Sequence, residues 1–177
     1  MKRRRFMVLS GSLLLGSAAA ARSAWPDLHW DELLPPGWKA DLGMPPAELA
    51  RLSDTDPRAI EWFERLRKAW EEAPLNPAVH GRRGRIAGFT LPLERRGDKV
   101  IEFLLVPYYG ACIHSPPPPA NQVIHARSAT PLAGIHLMTP VWVYGTLFAQ
   151  RGSTVWAASG YRMEVDKVTP RPGADRR

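Results

Sequence analysis

The chain has only one cysteine among its 177 residues, Cys112. A lone cysteine excludes a disulfide within the chain and every metal centre built from several thiolates. The sequence also lacks a Ser-centred nucleophile elbow and any motif of paired carboxylates. It therefore carries none of the common signatures of a hydrolase centre.

Surplus charge is nearly absent from the body of the chain. The formal net charge is +7, yet five basic residues and no acidic residue lie in residues 1–23. The rest carries 19 Lys and Arg and 17 Asp and Glu, a net charge of +2. This balance does not suggest a polyphosphate binder, so we expect no nucleic-acid partner. A 45% hydrophobic content suffices for one globular domain.

Residues 1–23 have the pattern of an export signal, with a basic start, an apolar stretch and small residues before a cleavage point at Ala24. The apolar stretch is about 15 residues long, shorter than the roughly 20 that span a bilayer, so we expect no stable transmembrane anchor after cleavage. The string "RRRFMV" fits a twin-arginine signal, and an ordinary Sec signal fits equally well. Both predict a periplasmic or secreted protein.

Residues 24–53 form a Trp- and Pro-rich arm, which we expect to lie over the core through Trp25, Trp30, Leu33 and Trp38.

A helix is predicted next. Asp56 can cap it, Pro57 suits its first turn and Pro74 ends it. The helical spacing of four apolar residues predicts one stripe in contact with the core: Ile60, Phe63, Leu66 and Trp70.

From Arg85 onward the sequence changes to short β-prone runs separated by Gly and Pro turns. They predict five strands, at 85–94, 100–109, 121–126, 140–150 and 161–168, with a sixth candidate at 153–158. The expected fold is mainly β (α+β): a small curled antiparallel sheet or partly closed OB-like barrel with one covering helix. Helix and barrel make one domain over residues 54–168, and 169–177 form a flexible tail.

Three stretches, "APLNPAVHGRRGRIAGFTLPLE", "EFLLVPYYGACIHSPPPPANQVI" and "TPVWVYGTL", resemble the bacterial secreted family called domain of unknown function 3299. The resemblance covers roughly residues 70–168, and "WDELLPPGW" in the arm is also similar. The resemblance implies an exported protein whose family genes often neighbour components of metal-linked transport systems. It implies no activity.

A metal site is one hypothesis for the loop that holds the cysteine. In an extended segment Cys112 and His114 point to the same side, so both could bind one ion. Zinc accepts thiolate and imidazole together, and copper is a weaker candidate. A third ligand would come from His125 or His136. Asn121 and Gln122 could orient an imidazole or a bound water.

The same residues allow two other interpretations. In one, no metal binds: Cys112 is a small buried hydrophobic residue and His114 bonds a backbone carbonyl. In the other, Cys112 is the nucleophile of a thiol-dependent enzyme, although the spacing supplies neither an orienting third group nor an oxyanion hole.

The proline run has its own physical role. Four prolines favour a stiff polyproline II segment, braced by two neighbouring tyrosines or displayed to the aromatic groove of a partner. These residues form the predicted binding loop, together with the two amides after it: Tyr108, Tyr109, Pro116, Pro117, Pro118, Pro119, Asn121 and Gln122.

The sequence thus favours an exported accessory protein in envelope metal handling, with zinc as the metal and an envelope transporter component as the partner. The alternative is a non-catalytic partner-binding module whose contact surface is the "GACIHSPPPP" loop.

Overall fold

The computed structural model describes residues 25–39, 51–53, 55–112 and 117–173. One α-helix, α1 (Pro57–Glu71), precedes five strands: β1 (Arg82–Arg96), β2 (Lys99–Val106), β3 (Ile124–Leu132), β4 (Pro140–Ser153) and β5 (Ala158–Pro170). No helix in these parts of the chain is long and apolar enough to cross a membrane.

The strands close into a barrel in the order β1-β2-β3-β5-β4, and β4 pairs back onto β1. All pairings are antiparallel except that of β3 with β5. The predicted mainly β barrel with one helix is therefore confirmed, and its sheet closes fully. The prediction of a sixth strand at 153–158 was wrong. Residues 154–157 form the turn between β4 and β5, and the Thr154 hydroxyl stabilises this turn by hydrogen bonds to its backbone.

The cap of α1 is the predicted one, but its buried face is not. The Asp56 carboxylate accepts the Arg58 backbone N–H at 2.9 Å, and Pro57 opens the helix. Leu66 is buried as predicted, whereas Ile60 and Phe63 are 48% and 46% exposed. The buried face consists of Ala59, Trp62 and Leu66. Helical spacing predicts an apolar stripe but leaves open which side of the helix is buried.

The barrel wall is buried on both sides along β2. Phe103 and Leu105 belong to the core inside the barrel, which also contains Ile86, whereas Leu104 and Val106 belong to a second apolar cluster. Successive strand residues point to opposite faces, so this second cluster covers the outer wall. It reaches Ala111 and Cys112, in the loop that follows β2.

In the described part of the N-terminal arm, residues 25–39, two of the four predicted contact residues, Trp30 and Leu33, attach the arm to the barrel. Leu33 is fully buried in the core, and Trp30 packs against the core while its indole N–H donates to the Ala87 carbonyl at 2.7 Å. The backbone of Leu28 donates to the Arg85 carbonyl at 2.8 Å.

Candidate functional site

Cys112 lies in the connection that follows β2 and packs against the outer wall of the barrel. Its φ angle is +66°, and Gly110 two residues earlier also has a positive φ. A left-handed backbone is uncommon for a residue with a side chain, so this turn is locally strained. The turn directs Ala111 and Cys112 into the outer apolar cluster.

The apolar surroundings of Cys112 disfavour the thiolate form of its side chain. Burial raises the pKa of Cys112 to about 11. The thiolate is both the nucleophile and the metal ligand of a cysteine, so a raised pKa disfavours both roles in this conformation. The surroundings match the interpretation of Cys112 as a small apolar residue.

We expect slow, strongly pH-dependent alkylation of Cys112. Because its pKa is about 11, iodoacetamide labelling should accelerate about tenfold per pH unit from neutral to mildly alkaline pH, without a plateau. Mass spectrometry of the intact protein measures the rate, and an unfolded sample with the ordinary thiol pKa of about 8.5 is the control. A rate at neutral pH that equals or exceeds that of the unfolded control would contradict the raised pKa.

His125 lies on β3 beside a carboxylate of β2. Its Nε2 lies 3.3 Å from Glu102 Oε2, and Arg127 Nε lies 3.2 Å from the other oxygen of Glu102. The pairing of β2 with β3 sets this geometry, since Glu102 is directly opposite Arg127. His125 therefore already has an acidic partner on the barrel wall.

His136 lies exposed in the connection between β3 and β4. Its carbonyl accepts the Thr90 hydroxyl at 2.7 Å, and its backbone N–H donates to the Thr139 hydroxyl at 3.0 Å. Its backbone thus fixes the loop. His114, like Pro116, lies outside the described residues. Where the structure describes the chain, no three His, Cys, Asp or Glu side chains form a group that could hold a metal ion.

The two amides after the proline run bind backbone carbonyls. Asn121 Nδ2 donates to the Pro74 carbonyl and Gln122 Nε2 to the Trp30 carbonyl, each at 3.0 Å. These bonds tie the segment to the C-terminal side of α1 and to the arm. Both amide nitrogens thus serve to hold the fold.

The tyrosines before the cysteine are exposed, and the ring of Tyr109 meets Phe89 edge-on at 5.8 Å between centroids.

Pro117 and Pro118 line a groove that the sequence did not reveal. Its volume is about 650 Å³, and three segments form its walls. We call it the apolar groove and define it by Phe63, Leu66 and Trp70 of α1, Pro117 and Pro118, and Val155 and Trp156 of the β4–β5 turn. Val155 is 94% exposed and Trp156 43% exposed. The sequence signal was present in "STVWAA", but its β-prone composition predicted a strand.

The profile of a family described as "Protein of unknown function (DUF3299)" matches residues 30–170. The chain belongs to the DUF3299 family. A crystal structure of a DUF3299 family protein from Pseudomonas aeruginosa PAO1 is similar to it, with 37% sequence identity and a TM-score of 0.66. The alignment covers 86% of this chain and 99% of the other. No curated protein matches.

The DUF3299 resemblance noticed in the sequence is thus confirmed, and it extends through the arm to β5. Membership assigns no chemistry to Cys112.

Proposed function

We propose that this DUF3299 protein is a non-catalytic binding module, and that its apolar groove receives apolar side chains of a partner protein. The observation that carries the proposal is the exposure of large apolar side chains from two separate segments, Phe63 on α1 and Val155 and Trp156 in the β4–β5 turn, along one groove. Contiguous exposed apolar surface is typical of protein interaction sites.

The turn wall of the groove is held in place before any partner arrives. The Thr154 hydroxyl donates to the Ala157 carbonyl at 3.0 Å and accepts the Trp156 backbone N–H at 3.2 Å. Val155 and Trp156 are therefore presented by an ordered turn. An ordered surface loses less conformational entropy on binding, which favours affinity.

The helix wall is tied to the same hairpin through Arg151. Its guanidinium donates to the carbonyls of Glu71, Glu72 and Ala73, at the C-terminal end of α1. These carbonyls lack partners within the helix, and a cation there also matches the helix dipole. These bonds hold the helix wall and the turn wall of the groove in position relative to each other.

The proposed contact surface includes part of the predicted binding loop but is centred on the groove. Pro117 and Pro118, two residues of the predicted binding loop, line the groove, while its aromatic walls come from α1 and the β4–β5 turn. Zinc handling stays a prediction. The partly buried thiol of Cys112, with its raised pKa, and the pairing of His125 with Glu102 lend zinc handling less support than the groove lends to binding.

A photo-cross-linking experiment tests the groove directly. With p-benzoyl-phenylalanine in place of Val155, illumination of the producing cells should give one discrete adduct with a partner protein. Trp156→Ala in the same chain should weaken the complex by about 2 kcal/mol, roughly 30-fold in Kd, as is typical for an aromatic anchor at an interface.

The matched control places the same photoreactive residue at Lys99, an exposed position next to the β1–β2 turn. An identical set of adducts from positions 99 and 155, or an adduct at 155 that Trp156→Ala leaves unchanged, would count against the groove.

A further inference from the structure

A second surface of the molecule combines aromatic rings with cations. Trp142 and Tyr144 are two residues apart on β4, and both are partly exposed, while Val143 between them is fully buried in the core. Strand alternation therefore places both rings on the outer wall of the barrel. Trp25 of the arm joins them, edge-on to Tyr144 at 5.6 Å between centroids.

Cations from β1, from β5 and from the residue that follows β5 lie over these rings. The guanidinium carbon of Arg83 lies 4.0 Å from the ring centroid of Trp25, and that of Arg85 lies 4.5 Å from Trp142. Lys167 Nζ is 5.5 Å from the Tyr144 ring, and Arg171 is 5.8 Å from Trp142. We call the three rings and four cations the cation–aromatic face.

The positive charge of this face exceeds its negative charge. Arg85 pairs with Asp27 at 2.5 Å, and Arg83 lies 3.7 Å from Asp166. Within the described parts of the chain, Lys167 and Arg171 have no carboxylate at ion-pair distance. Four cations and two carboxylates give this face a net charge of +2. Residues 24–177 as a whole also have a net charge of +2.

The arrangement favours binding to an anionic surface over stacking against the bases of a nucleic acid. The guanidinium groups of Arg83 and Arg85 already cover faces of Trp25 and Trp142, so those faces are not open to nucleobases. Tryptophan and tyrosine side chains are also the ones enriched at the headgroup level of membranes, where one part of the ring is apolar and the other is hydrated.

The course of the chain points to the same partner. Trp25 lies two residues after the predicted export signal, residues 1–23, whose basic and apolar sequence predicts contact with a membrane during export. The chain therefore enters the barrel at this face. We infer that the cation–aromatic face docks on the surface of an anionic lipid bilayer, with Lys167 and Arg171 binding phospholipid headgroups. The apolar groove uses none of these residues, so the two proposals stand independently.

The test measures the affinity of the purified protein for lipid vesicles, with the protein isolated from the cells that produce it. Wild-type protein should bind vesicles that contain phosphatidylglycerol more tightly than vesicles of phosphatidylcholine alone. Each cation near an anionic surface contributes about fivefold in affinity, so Lys167→Gln with Arg171→Gln should weaken binding to the anionic vesicles about 25-fold. Both side chains are at the surface, and thermal unfolding should confirm that the fold is intact.

The matched control removes two cations at the far end of β1 and the start of β2, with Arg96→Gln and Lys99→Gln. Both residues are exposed, and the net charge changes by the same amount. This variant should lose much less affinity than the face variant. Equal losses would show an effect of net charge alone and overturn the proposal, as would no loss in the face variant. Tighter binding of a single-stranded oligothymidylate than of anionic vesicles, also through Lys167 and Arg171, would overturn it in favour of nucleic acid.

Discussion

Gly145→Ala is expected to lower the free energy of unfolding by about 3 kcal/mol or more, a large part of the stability of an ordinary domain. Gly145 lies on β4, directly opposite Gly84 on β1 and Val165 on β5. A Cβ built on Gly145 would overlap the backbone carbonyl oxygen of Glu164. Because that oxygen belongs to the neighbouring strand, no rotation of a side chain can relieve the overlap.

The close approach has a local cause. The pairing of β4 with β5 shifts register between Tyr144 and Gly145, where Asp166 is an extra residue on β5. Such a bulge bends the strand that carries the extra residue. Alanine at position 145 would push β5 away and weaken the hydrogen bonds that close the barrel.

The matched control is Gly152→Ala in the same hairpin. Its added Cβ would meet the Ser159 hydroxyl at 3.0 Å and His125 Nδ1 at 3.9 Å, and both are side-chain atoms that can turn aside. We expect a loss below about 1 kcal/mol for this variant, the usual range for small changes that a neighbour can accommodate. Urea unfolding followed by tryptophan fluorescence measures both. Similar losses in the two variants would argue against the backbone overlap as the cause.

Local signals in the sequence located the helix and the five strands, although they also predicted a sixth strand at 153–158 and placed the third strand at 121–126 instead of Ile124–Leu132. Asp56 and Pro57 mark the start of α1 because a side-chain cap and a fixed φ angle act within one turn of the chain. The β-branched runs mark the five strands for the same reason, since their preference is a property of each short segment. Closure into a barrel follows from how many such strands share one core.

The candidate sites depended on contacts between distant segments, which local patterns do not contain. Phe63 belongs to a regular apolar stripe, yet the buried face of α1 is the neighbouring one with Trp62, so Phe63 remains exposed along the groove. His125 was considered as a metal ligand, but its pairing with Glu102 appears only once β2 and β3 are in register. The raised pKa of Cys112 likewise depends on the apolar cluster formed by β1, β2 and the loops over them.

Tyr161→Phe is expected to lower the free energy of unfolding by about 3 kcal/mol, through the loss of one oxygen atom. Tyr161 on β5 is fully buried, and its hydroxyl connects two other segments. It donates to the Leu33 carbonyl in the arm at 2.5 Å and accepts the Asn76 backbone N–H at 2.7 Å. Phenylalanine keeps the ring and leaves both backbone groups without this partner.

The size of the effect follows from burial. An unpaired buried donor or acceptor costs about 1–3 kcal/mol, and here one of each is created at once. Tyr109→Phe is the matched control, because Tyr109 is partly exposed and its hydroxyl has no hydrogen bond among the described residues. That variant should unfold within about 0.5 kcal/mol of wild type, as is usual for surface changes.

Hydrogen exchange separates a loss of the arm from a general loss of stability. In Tyr161→Phe the amide of Leu28, which bonds the Arg85 carbonyl, should exchange faster relative to the amides of β2. The arm would then open before the barrel, because it loses one of the bonds that tie it to β5. If the amides of Leu28 and of β2 accelerated by the same factor, the hydroxyl would stabilise the whole domain and not the arm in particular. If neither accelerated, the bond to Leu33 would contribute nothing measurable.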